Sequence, residues 1–111
     1  MMDAAEVTAM RRLWVSVLAE FGADTIRKLH AARRGIRVVR ISNQRIAIGS
    51  FDHEVHALRR YMKGRDFQAV CDMAGVQFDV EQAIASMIAL ADRFTEKDFS
   101  RDWMRQVRLA A

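Results

Sequence analysis

Between Asp3 and Arg34, apolar residues recur at steps of three and one: Met10, Leu13, Trp14, Val17, Leu18 and Phe21, with Ile26 and Leu29 following after a small drift. That spacing returns to one side of a 3.6-residue turn, so the pattern predicts a long amphipathic helix over 3–34. Gly22 costs about 1 kcal/mol relative to Ala in a helix interior and marks a site for a kink or a break. Arg33-Arg34-Gly35 closes the segment. Cations suit the negative end of the helix dipole, and Gly suits the left-handed residue that follows a helix.

The pattern then changes period. IRVVRISNQRIAIGSF is rich in Ile and Val, is interrupted by Ser42-Asn43-Gln44 and ends in Gly49-Ser50-Phe51. It predicts a β-hairpin with strands over 36–41 and 45–50. Arg37, Arg40 and Arg45 lie along it. A lone hairpin is marginal in water, so this one must pack on helices or pair with another chain.

Helical spacing returns at Asp52. Asp52 is placed to cap a helix that turns Val55, Leu58, Tyr61 and Met62 inward, and Gly64 stops it. Asp66 is placed to cap a short helix with Phe67, Val70, Cys71 and Ala74 on its apolar face. After Gly75, Asp79 and Gln82 have the spacing of a capping box for a helix running to about Phe94. Thr95 and Asp98 start a last helix with Phe99, Trp103, Met104 and Val107 as its stripe. The expected fold is therefore mainly α: one domain over 1–111, with a long helix at 3–34, a short hairpin at 36–50 and a helical region at 52–109. Met10, Met62, Met73, Met87 and Met104 fall at apolar helix positions and are expected in the core.

Composition narrows the class. A chain of 111 residues can bury a core without disulfides or metal, and it contains no proline, which suits long helices. No apolar run approaches the roughly 18 residues needed to cross a bilayer. Acids near the start do not fit a secretion signal, so the cytoplasm is the expected location. Cys71 is the only cysteine, so no intrachain disulfide can form.

Charge changes the picture more. The net charge is +4, but residues 27–65 carry eleven Lys and Arg against Asp52 and Glu54, a local +9. Residues 1–26 hold −2 and residues 66–111 hold −3. A concentrated cationic middle points to a polyanion, because Lys and Arg on one surface release counterions from a phosphate backbone. The expected contacts are Arg33, Arg34, Arg37, Arg40 and Arg45, supported by Arg59, Arg60, Lys63 and Arg65. If the fold gathers them, they form one basic face.

DFQAVCDMAGVQFD, residues 66–79, has the turn chemistry of a helix-turn-helix corner. Such a corner needs a small residue in its first helix, Gly at the turn and an apolar residue after it. Cys71, Gly75 and Val76 meet these needs, and Ile84 supplies a later anchor. The anchor expected about six residues after the Gly falls on Glu81, with Val80 one position early. From Asp66 to Asp92 there are five acidic residues and no basic one. A recognition helix usually offers Arg, Lys, Asn or Gln to bases and phosphates; here no cation comes before Arg93, and Gln82 and Ser86 are left to touch bases. The corner is therefore expected to be a frame for the basic segment.

Other chemistry is sparse. His53 and His56 stand three apart on a helix near Asp52 and Glu54, but a metal site needs three or four converging ligands. No metal or other cofactor is expected. No nucleophile–base pairing, phosphate-binding Gly loop or spaced carboxylate pair stands out, so an enzyme is not expected. A small metal-assisted enzyme using His53 and His56 is the weakest of the alternatives.

Two blocks, LWVSVLAEFGAD and ALRRYMKGRDFQAVCDMAGV, resemble small helix-turn-helix-like proteins encoded by phages and prophages of alphaproteobacteria. The resemblance lies on Leu13, Trp14, Val17, Leu18, Tyr61, Asp66, Phe67, Val70, Cys71, Ala74 and Gly75 and spans roughly a third of the chain. It implies a phage-related context and no mechanism. The hairpin between the blocks and the acid at Glu81 depart from that pattern.

The sequence thus reads as a small basic helical domain that binds nucleic acid, DNA ahead of RNA, mainly through phosphates. An acidic host or phage protein is the alternative partner. Apolar stripes left exposed on the first and last helices would be covered in a homodimer.

Overall fold

A computed structural model describes residues 3–93. The chain is mainly α-helical with one two-stranded antiparallel hairpin, in the order α1 (Ala4–Arg33), β1 (Val38–Ile41), β2 (Gln44–Ala47), α2 (Phe51–Met62), α3 (Arg65–Ala74) and α4 (Val80–Asp92). The last helix expected from Thr95 and Asp98 lies outside the described residues.

α1 is the spine. Asp3 caps it by accepting from the Glu6 amide at 2.8 Å. The helix runs unbroken through Gly22, which is buried, so the chain does not break there. Its end is a Schellman closure: Gly35 sits at φ +71°, its N–H reaching Ala32 O, while Ile36 N–H donates to Ala31 O at 2.9 Å. That closure consumes Gly35 and Ile36, which is why β1 begins at Val38 instead of residue 36. β2 spans Gln44–Ala47 instead of the expected 45–50, so it stops three residues early while the ladder gains one residue at the turn. Ser42 and Asn43 alone make the turn, at φ 50° and 64°, and Gln44 pairs with Ile41 inside the ladder. Two positive φ values match the twist of a two-residue hairpin turn.

Two helix starts differ from expectation. Ser50, not Asp52, caps α2, its Oγ accepting from His53 N at 3.1 Å. Asp52 falls in the first turn, where its charge still suits the dipole. α3 follows after only Lys63 and Gly64, so Gly64 occupies the cap position without a side-chain bond, and Asp66 lies inside the first turn. Asp79 does cap α4, accepting from Gln82 N at 2.9 Å, and α4 stops at Asp92 rather than Phe94.

Ring contacts set the helix directions. Arg33 lies over the Phe51 ring at 3.8 Å, and ten residues later Tyr61 meets Phe21 at 5.3 Å, so α2 runs back along α1. Phe67 touches Phe21 at 5.5 Å, while Gly75 comes against Arg11, so α3 lies antiparallel along the first half of α1. α4 begins beside the end of α2 and finishes where His30 Nδ1–H donates to Ala91 O at 3.0 Å and Arg33 pairs with Asp92, so it runs parallel to α1.

One core joins these helices: Leu18, Ile26 and Leu29 of α1, Leu58 and Met62 of α2, Phe67, Cys71 and Ala74 of α3, Val76, and Ala83, Ile84, Met87 and Ala91 of α4. Part of the expected core is outside it. Met10, Leu13 and Val17 on α1, Tyr61 on α2 and Met73 on α3 are exposed. The apolar stripe of α1 is wider than the strip its neighbours cover.

Candidate nucleic-acid interface

The structure divides the nine expected cationic contacts between two places. Arg33, Arg34, Arg37, Arg40 and Arg45 belong to the end of α1 and to the hairpin; Arg59, Arg60, Lys63 and Arg65 belong to the α2–α3 junction. The first place is at Arg33 and the second is level with Phe21, because Tyr61 packs there. Twelve helical residues separate those levels, about 18 Å along the axis. The single basic face is therefore two basic regions.

Carboxylates treat the two regions differently. At the α2–α3 junction, Glu81 takes Arg59 with both oxygens, at 2.8 and 3.1 Å, and lies 3.1 Å from Lys63 Nζ. Hydrogen bonds from Arg59 and Lys63 hold the Glu81 carboxyl down to about 2, well below the usual range. Arg33 is likewise committed, donating from Nε and Nη2 to the two Asp92 oxygens at 3.0 and 3.3 Å while stacking on Phe51. Arg33, Arg59 and Lys63, expected as free phosphate contacts, thus serve to join helices. The reason is tertiary: their carboxylate partners come from α4, 59 and 22 residues away in sequence for Arg33 and Arg59.

Arg34, Arg37, Arg40 and Arg45 have no carboxylate partner among the described residues, and neither do Arg60 and Arg65. The first four surround the hairpin, and residues 35–50 contain no acid at all. The ladder places Arg40 directly opposite Arg45 and Val38 opposite Ala47. Side chains alternate between faces of a strand, so these four residues share one side of the ribbon. That side is exposed throughout, whereas Ile41 on the other side is 8% exposed, as is Ile48 just beyond the ladder. The hairpin is therefore seated by its inner face and open on its arginine face. Sequence periodicity located the arginines; pairing Arg40 with Arg45 required the register.

The α3–α4 corner keeps the turn that the sequence predicts. Gly75 adopts φ +69°, Val76 N–H donates to Cys71 O at 3.0 Å, and Val76 is buried. Both helices pack on α1 and α2, and their backbones do not approach each other closely. The exposed positions of α4 are Glu81, Gln82, Ala85, Ala89 and Asp92, followed by Arg93. That surface is acidic at its start and small in its middle, and Glu81 is turned onto α2. It offers no cationic approach to a phosphate backbone before Arg93.

Among the described residues, no helix is long and apolar enough to cross a membrane, and no three His, Cys, Asp or Glu side chains converge to hold a metal. Comparison of this chain with protein-family models, with curated proteins and with solved structures finds no match.

Proposed function

We propose that this chain is a small cytoplasmic DNA-binding protein, phage-related and regulatory, that holds the phosphates of a duplex through its hairpin end. The observation that carries this reading is the set Arg34, Arg37, Arg40 and Arg45, four cations around an acid-free hairpin, none of them in an ion pair among the described residues. Arg60 and Arg65 support it from the second basic region. Polyanion binding satisfies such a set, because each phosphate neutralised releases condensed counterions. The resemblance of two sequence blocks to small phage-encoded proteins supplies the biological context.

A gel-shift titration with duplex and single-stranded probes at two salt concentrations tests the reading. Four phosphate contacts weaken binding by roughly a hundredfold between 50 and 200 mM salt. Salt-insensitive binding, or none to any probe, rules it out.

One observation favours a second reading, an interaction module for another protein: Met10, Leu13 and Val17 lie exposed along the first half of α1, and Tyr61 lies exposed against Phe21. A stoichiometric protein partner that survives nuclease treatment of the lysate would support that reading over the first.

A further inference from the structure

We propose that the outer face of the hairpin reads base edges in the major groove, with Arg40 and Arg45 each donating to a guanine. This inference rests on the DNA-binding reading above and adds to it a sequence-reading surface.

The first argument is the register. Arg40 and Arg45 are direct cross-strand partners, so their side chains leave the ribbon side by side. Like charges placed opposite each other destabilise a free hairpin. No described carboxylate lies against either one, although Arg33, Arg59 and Lys63 all find one. An acceptor from beyond the described residues is what would relieve the pair.

The second argument separates bases from phosphates. Val38 is 45% exposed on the same face, opposite Ala47. Covering an apolar pair contributes nothing to a phosphate contact. In the major groove it is favourable, because thymine methyl groups present apolar surface beside the guanine O6 and N7 acceptors that arginine recognises in bidentate fashion.

The third argument is shape. The turn is only Ser42 and Asn43, so no loop projects beyond the ribbon. Two strands lie about 4.8 Å apart, and the major groove, about 12 Å wide, admits a two-stranded ribbon. Ile41 and Ile48 anchor the opposite side, so the arginine face is aimed outward by packing. Arg34 and Arg37 stand at the foot of the ribbon, where the phosphates flanking the groove would pass.

The test is selection from a random duplex pool, followed by titration of the selected duplex against a scrambled one. The variants are Arg40→Ala, Arg45→Ala and the double change Arg40→Lys with Arg45→Lys, with circular dichroism confirming the fold of each. Wild type is expected to select a guanine-containing site. Each Ala variant loses about tenfold or more in affinity for that site. The double Lys variant keeps its charge and its binding to the scrambled duplex but loses discrimination, because an ammonium cannot reproduce the bidentate fork. Discrimination retained by the double Lys variant overturns the inference. So does a wild-type protein that binds every duplex and selects no shared sequence, an outcome that leaves phosphate binding intact. Failure to bind any duplex overturns both readings and turns attention to an acidic protein partner.

Discussion

Glu81 grips Arg59 with both carboxylate oxygens, Oε1 at 2.8 Å from Nε and Oε2 at 3.1 Å from Nη2, and the same Oε1 lies 3.1 Å from Lys63 Nζ. This contact ties the first turn of α4 to the end of α2. In the linear sequence Glu81 stands where a helix-turn-helix pattern wants an apolar anchor. In the fold it joins two helices by charge, and Ala83 and Ile84 supply the apolar anchorage. The same contact removes two cations from the surface available to a polyanion.

Acid should undo this link. The folded carboxyl sits at about 2, below its ordinary value of 4.5, so its contribution is fully present above pH 4.5. It is lost as the pH falls toward 2. Thermal melts of wild type and Glu81→Gln should differ above pH 5 and converge toward pH 2. Glu81→Gln also leaves Arg59 and Lys63 unneutralised, so DNA binding at low salt should tighten.

Phe67 is fully buried and its ring touches Phe21, Tyr61 and Phe78. Phe67→Ala removes the shared member of that group, with an expected cost of about 3–5 kcal/mol. Leu13 is 59% exposed. Leu13→Ala should change stability by no more than about 0.5 kcal/mol. Denaturant midpoints of the two variants check the contrast.

Cys71 is buried in the core, and desolvation followed by the charge of Asp72 pushes its thiol up to about 11. The thiolate is the reactive form, so a thiol reagent at pH 8 should label the native protein slowly and the denatured protein fast. Rapid stoichiometric labelling without denaturant would contradict the burial.

Gly75 adopts φ +69°, and a Cβ added there would meet Arg11 only at ordinary contact distance, 3.4 Å. The cost of Gly75→Ala is therefore conformational, roughly 1–2 kcal/mol. It should appear as a lower midpoint with an unchanged denaturant slope, because the surface exposed on unfolding stays the same.

Charge reversal separates the hairpin from the corner. Arg37→Glu and Arg40→Glu should each weaken DNA binding more than Gln82→Ala, since Gln82 sits on the acidic start of α4. Equal losses in a gel shift would move the contact surface to the corner.

Much of the fold was legible because its signals are local. Helical spacing located α1 to within a residue at each end, the Gly35 closure ended it, and Asp79 capped α4 as its spacing to Gln82 indicated. The misread starts of α2 and α3 are also local in origin. Ser50 and Asp52 are both good caps, and the choice fell to the one nearer the strand end. Gly64 won over Asp66 because α2 and α3 are only two residues apart.

Local patterns along the chain specify a mainly α fold with one hairpin, the acid-free run of arginines along that hairpin and the Gly turn between α3 and α4. Each depends on neighbours within a few positions, where backbone propensity and capping act. Which cations find a carboxylate depends on how the helices pack. Arg33, Arg59 and Lys63 were neutralised by acids from α4, and charge pairing between helices depends on packing that no local pattern carries. Packing also left Met10, Leu13 and Val17 outside the core, and strand register brought Arg40 opposite Arg45. The composition specified how much positive charge the middle of the chain carries; the contacts of α4 took Arg33, Arg59 and Lys63 out of it and left the hairpin arginines, with Arg60 and Arg65, unpaired among the described residues.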